Sequence, residues 1–224
     1  MTEAAPALPR AMPTPPPSSA LAGSWAAGLL RAVGAVSAVQ TVLFGAAGLA
    51  GASLDLPMDP DRGWSAWTSW HVAYVLGACL DLPLFAAAAI VFLVWLHRAR
   101  SRQRWFAAAR GFSPRKAVLV WLIPAVNVVL PYRSIQELFA DEGRRPTDRA
   151  LLLPLWWACF LLAGVVAGVH MVLGGGPWKP APMSGTGLWL ACARELLLAV
   201  SGLLAARFVA EFERRTAQRG LRAA

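Results

Sequence analysis

Cysteine is scarce in this chain, lysine scarcer, and asparagine occurs once. The three cysteines, Cys79, Cys159 and Cys192, all fall inside apolar runs, and none has CxxC spacing. Zinc-ribbon and dithiol motifs are thereby excluded, and so is a disulfide framework in the outer loops. The cysteines read as small buried residues. Nucleophile elbows of the GxSxG kind, HExxH, P-loops and glycine-rich dinucleotide turns are missing too. An intramembrane protease needs a paired Ser/His or Asp/Asp at depth, and only Asp81 is at hand. His71, His97 and His170 are too scattered for a metal site and read as interfacial. No cofactor, no metal and no enzymatic activity are therefore expected.

Apolar sequence is what the chain has in plenty. Of its 224 residues 57% are hydrophobic, and the mean hydropathy is +0.51. A soluble domain holds about 45–50% apolar residues even with glycine counted. The excess lies in runs of roughly 20 residues, the length that crosses about 30 Å of hydrocarbon. These runs predict an all-α, polytopic membrane protein with one membrane domain over residues 24–210. Its four transmembrane helices are expected over 24–51, 71–97, 150–173 and 187–210. Residues 1–23 are Pro-rich and predict a disordered cytoplasmic tail. No charged leader runs into an apolar core there, so a signal peptide is not expected. Residues 211–224 predict a basic cytoplasmic tail. In the first span Gly28, Gly34, Gly45, Gly48 and Gly51 offer small surfaces for helix packing. Trp64, Trp67 and Trp70, three apart, predict an interfacial aromatic belt.

The net charge of +9, with 19 Arg against 2 Lys, would suggest nucleic acid in a soluble protein. Here the bases crowd beside the apolar runs, where they dictate topology instead. Arg98, Arg100, Arg102, Arg104, Arg110, Arg115 and Lys116 follow one another without an acid between them. Basic loops stay in the cytoplasm, so this stretch, the Arg-rich C-terminus and with them both termini are expected on the cytoplasmic side of the membrane. Their expected partner is anionic lipid of the inner leaflet, not nucleic acid.

Residues 117–131 break the pattern. Their roughly 14 apolar residues reach about 21 Å as helix, short of a bilayer. Pro124 and Asn127 interrupt them and Pro131 ends them. The pattern predicts a re-entrant or short fifth helix broken near Pro124–Asn127, then a surface helix over 132–142. Full crossing would leave the basic C-terminal tail outside. Re-entry keeps the N-terminus, both middle basic segments and the C-terminus inside, and is the expectation.

Three ionisable residues fall within the spans. Asp81 lies near the middle of the second, where an acid costs roughly 2.5–3.5 kcal/mol on insertion scales. Arg194 and Glu195 lie at similar depth in the last. The three form a candidate intramembrane cluster in which Arg194 neutralises Asp81 across helices. An ion-pair staple that fixes helix register is the first reading, and a proton or substrate pathway the second. A second candidate site is Trp121, Pro124, Asn127, Pro131 and Tyr132, where the Asn127 amide is expected to cap carbonyls freed by the break. The stretches Ala78-Cys79-Leu80-Asp81 and Ala191-Cys192-Ala193-Arg194-Glu195 suggest that the two flanking hairpins are alike.

Trp95, Arg98 and Arg100, then Ser113-Pro114, Trp121, Pro124, Asn127, Pro131, Tyr132 and Trp156-Trp157 carry a family resemblance. On these residues the chain resembles the bacterial membrane family called domain of unknown function 4328, over roughly residues 70–210. Where that family often has an Asn soon after the arginines, this chain has Ser101 and Arg102. The resemblance implies a polytopic plasma-membrane protein and lends no activity. The leading expectation is a structural or interaction module that organises lipids or partners, itself or another membrane protein. A small oligomeric transporter or channel using the broken segment and Asp81/Arg194/Glu195 is the second, and a lipid-acting enzyme the third.

Overall fold

A computed structural model describes residues 20–49, 67–106, 111–123, 127–140, 151–173 and 185–223. The elements are α1 (Ala20–Leu49), α2 (Trp67–Phe106), α3 (Pro114–Leu119), α4 (Leu130–Ala140), α5 (Leu152–Leu173) and α6 (Gly185–Ala223). The described residues are helical, without strands. Four helices are long and apolar enough to cross a membrane: α1, α2, α5 and α6. The protein is thus an all-α, multi-pass membrane protein with the broken segment between its second and third spans. Large apolar side chains face outward, Val42, Leu82 and Val172 among them, as expected of surfaces that meet lipid rather than water.

The spans stand where hydropathy puts them, but two run further. α2 continues through the basic stretch to Phe106, and α6 continues past Ala210 to Ala223. At 1.5 Å per residue each reaches about 60 Å, twice the hydrocarbon thickness, so both project as charged arms. The side chains of Trp67, Trp70 and His71 lie outside the described residues, as do Trp64 and Arg110.

Glycine governs the central contact. α1 crosses α6 where Gly34 meets Gly202. A Cβ on Gly202 would stand 2.8 Å from the Leu30 carbonyl oxygen and 3.1 Å from the Gly34 nitrogen. Only a bare backbone fits, the usual basis for close helix approach in lipid. Gly28, expected like the others to offer a packing surface, meets nothing within 4 Å and faces outward. The packing runs α2–α1–α6–α5, an open arc whose end helices α2 and α5 barely meet.

At one end the arc is closed by α3 and α4. Ser113 caps α3, its hydroxyl accepting from the Lys116 N–H at 3.2 Å, and Pro114 occupies the first turn. α3 ends at Leu119, before Pro124, and just beyond it the Trp121 and Leu122 N–H groups bond three residues back, to the Val118 and Leu119 carbonyls. The residue preceding a proline resists α geometry, so the helix unwinds ahead of the break rather than at it. α4 starts at Leu130 with Pro131 in its first turn. Its polar face is exposed, but it is more than a surface helix: Ile135 and Leu138 are fully buried.

Aromatic rings fill this closed end. Phe92 and Trp95 of α2, Trp121, Phe139 of α4, Trp156 and Trp157 of α5 and Phe208 and Phe212 of α6 form one core. The Phe92 and Trp121 ring centroids are 5.3 Å apart, and those of Trp156 and Phe208 are 4.9 Å apart. Trp95 has no exposed surface, and its indole N–H donates to Glu213 Oε1 at 2.8 Å. The Trp157 indole N–H donates to the Val128 carbonyl at 2.8 Å, holding the broken segment on α5.

Candidate functional site

Away from the closed end the four spans enclose a cavity of about 450 Å³. From Glu195 to the aromatic core at Phe208 is about 20 Å along α6. Helical spacing turns one stripe of each span toward the cavity. Ser37, Gln40 and Phe44 come from α1, Asp81 and Phe85 from α2, and Phe160, Gly164, Ala167 and His170 from α5. Ala191, Arg194, Glu195 and Leu198 complete the wall from α6. Small residues on α5 and α6 make the room, and six polar side chains stand in an otherwise apolar lining.

The structure therefore gathers Asp81, Arg194 and Glu195 around one hollow. The pairing differs from expectation. Arg194 Nη2 lies 3.3 Å from Glu195 Oε1, its own neighbour in sequence. No ion pair within 4 Å reaches Asp81 among the described residues. Adjacent residues on a helix point about 100° apart, yet the flexible Arg194 arm folds back onto Glu195. Glu195 is 1% exposed, and its Oε2 has no hydrogen-bond partner. The Ser37 hydroxyl faces the same carboxylate without closing a bond on Oε2. The Gln40 amide leans on α2 where Gly77 leaves space, since a Cβ there would stand 2.7 Å from Gln40 Nε2.

Ser37, Gln40 and His170 escape a reading by sequence. The first two sit in a span read for its glycines, although polar residues at i and i+3 in an apolar helix already mark one face. His170 reads as interfacial from its place near the span end, whereas it lines the hollow. The likeness of the two hairpins does not extend to their cysteines. Cys79 is exposed, while Cys192 donates to the Thr41 carbonyl at 3.4 Å.

Trp121 packs its ring against Phe92, Trp156 and Trp157, but its indole nitrogen is buried without a partner. Pro131 is buried and Tyr132 packs against the core. Asn127 does not cap as expected. Its Oδ1 is buried and unbonded, and the nearby Val128 carbonyl is satisfied by Trp157 instead. Pro124 lies outside the described residues.

The basic run divides. Arg104, Arg115 and Lys116 are exposed, and Arg98 and Arg102 are half-buried. Arg100 is 2% exposed, which corrects its placement among the lipid-facing bases. Its guanidinium donates to the Ser134 carbonyl and to Gln103 Oε1 at 3.2 Å, and stands 3.6 Å from Glu137 Oε2. Gln103 Nε2 in turn donates to the Leu138 carbonyl at 3.0 Å. These bonds take up carbonyls of α4 and lock that helix to α2. Glu137 also accepts the Phe112 N–H at 3.2 Å, beside Gly111 with φ +111°, where a Cβ would collide with the carboxylate. Among the described residues no three His, Cys, Asp or Glu side chains gather as metal ligands do.

A family model described as "Domain of unknown function (DUF4328)" matches residues 62–214, from ahead of α2 into α6. No curated protein and no solved structure matches the chain.

Proposed function

Because this chain belongs to the family of the domain of unknown function DUF4328, whose description assigns no activity, we propose a function from the hollow in its membrane domain: the protein binds a small amphiphile inside the bilayer. The observation that carries this reading is a four-helix cavity of ligand size that buries an incompletely satisfied carboxylate, Glu195. Ligand pockets measure about 300–1,000 Å³ and hold a few polar groups in an apolar lining. Ionisable groups at membrane depth are costly and mark such sites. An ion-pair staple alone accounts for Arg194 and Glu195, but not for the empty space around them or for Asp81 across it. Binding without chemical conversion is the reading, since the sequence carries no recognised catalytic motif.

The same reading sets the protein in a bacterial plasma membrane with both termini inside. The exposed bases of α2 and α3 and the arginines of the α6 arm lie at the closed end, where they suit anionic headgroups of the inner leaflet. α3 and α4 then form a re-entrant plug that approaches from the cytoplasm. Cysteines placed at Arg133 and Ala217, both exposed, in a background without the three native ones, test this topology. Labelling of both from the cytoplasmic side is expected, and labelling from opposite sides overturns re-entry.

The binding reading is tested on the full chain in lipid nanodiscs by native mass spectrometry. Wild type is expected to retain a small molecule that Gly164→Leu loses. A Cβ at Gly164 meets nothing within 4 Å, so the substitution fills the mouth without moving a helix. A wild type that holds and takes up nothing overturns the reading. Proteoliposome flux that disappears in Asp81→Asn would extend binding to transport.

A further inference from the structure

We infer that the cavity selects a cationic amphiphile, an amino group on an aliphatic chain, which enters sideways between α2 and α5 and places its nitrogen at Glu195. The inference rests on the binding reading above and adds the ligand's charge and route.

Charge comes first. The cavity wall carries the carboxylates of Asp81 and Glu195 against the single guanidinium of Arg194. Arg194 is engaged at Glu195 Oε1. Oε2 of that carboxylate, almost completely buried, has no donor. A buried carboxylate oxygen left unbonded is costly, and a donor that arrives with a positive charge relieves it best. One ammonium group balances the surplus negative charge and satisfies the oxygen together. An anionic headgroup would instead meet two carboxylates and a guanidinium already committed, and a neutral alcohol would leave the surplus in place.

Shape supplies the rest. The backbone contact at Gly34 and Gly202 shuts the α1–α6 side. The aromatic core and the α3–α4 plug shut one end. Among the described residues the side left open is the gap between α2 and α5, the two ends of the arc. Leu82 and Phe85, both exposed on α2, and Gly164, exposed on α5, line the cavity at this gap. An apolar rim facing lipid admits a hydrocarbon chain laterally. The chain trails through the gap toward the bilayer while the headgroup reaches Glu195. A small hydrophilic amine has no such tail to bury and gains less.

The test uses the full chain in nanodiscs of neutral lipid, with dodecylamine, dodecanol and dodecanoate as probes and native mass spectrometry as readout. Dodecylamine is expected to bind about tenfold more tightly than dodecanol, the gain of one charge-assisted hydrogen bond. Glu195→Gln abolishes that preference while dodecanol still binds, Gly164→Leu blocks both, and hexylamine binds more weakly than dodecylamine. Where Glu195→Gln fails to fold, Asp81→Asn, on the partly exposed opposite wall, lowers the preference for the amine and leaves dodecanol unchanged. Phosphatidylethanolamine bound more tightly than dodecylamine identifies a lipid headgroup as the amine's source, and the reverse order a free amine. Equal binding of amine and alcohol, a preference for dodecanoate, or an amine preference untouched by Glu195→Gln or Asp81→Asn overturns the inference and leaves the binding reading standing. Failure of every probe, with no molecule retained from the cell, overturns both.

Discussion

The same four helices build two opposite interiors. At one end large rings interlock and the buried indole of Trp95 and guanidinium of Arg100 are held by bonds to other helices. At the other, small residues leave a hollow and a buried carboxylate goes half satisfied. α6 carries a Glu at each end that shows the contrast. Glu213 accepts from the Trp95 indole and ties α6 to α2, whereas Glu195 pairs with its neighbour Arg194 and faces the Ser37 hydroxyl with Oε2 left unbonded. The closed end is filled by rings, although Trp121 Nε1 and Asn127 Oδ1 go unbonded there, and the hollow is where packing has been given up.

Breaking the closed end should therefore cost most. Trp95→Ala removes a fully buried ring and its bond to Glu213, and is expected to destabilise by about 3–5 kcal/mol, read as thermal unfolding in detergent. Arg100→Ala unlatches α4 from α2 at about 2–4 kcal/mol. Limited proteolysis should then cut near residues 141–150 sooner than in wild type. Gly202→Ala forces the central crossing apart for about 1–3 kcal/mol, without touching either end. Trp157→Phe keeps the ring, loses only the bond to the Val128 carbonyl, and should cost about 1 kcal/mol. At the hollow, Glu195→Gln should change stability by less than about 1 kcal/mol, because the amide oxygen can still accept from the partly exposed Arg194 and no bond to Oε2 exists to be lost. A Glu195→Gln penalty as large as that of Trp95→Ala would erase the contrast and make Glu195 a structural staple.

How much of this is legible in the sequence follows from the same contrast. Hydropathy alone places the four spans, because lipid demands long apolar helices whatever they pack against. The intramembrane cluster is legible too, since Asp81, Arg194 and Glu195 are anomalous in any apolar run. The partners of those charges are not. Which way Arg194 folds depends on side-chain torsions, and Ser37 and Gln40 gain meaning only once α1 is seen beside α6. Arg100 is indistinguishable by pattern from Arg98 and Arg102. Its burial is set by α4, a helix brought back across a turn whose geometry no periodicity encodes. The surroundings of Asn127 are hidden for the same reason, because the neighbouring Val128 carbonyl is reached by Trp157, 29 residues on in sequence.

The first helix has a consequence of its own. The region shared with the family begins at residue 62, yet Ser37 and Gln40 stand on α1, upstream of it. The hollow is thus lined by residues both inside and outside the matched region. Exchanging Ser37 or Gln40 on that opening helix offers a way to retune the hollow while the Gly34–Gly202 crossing stays in place.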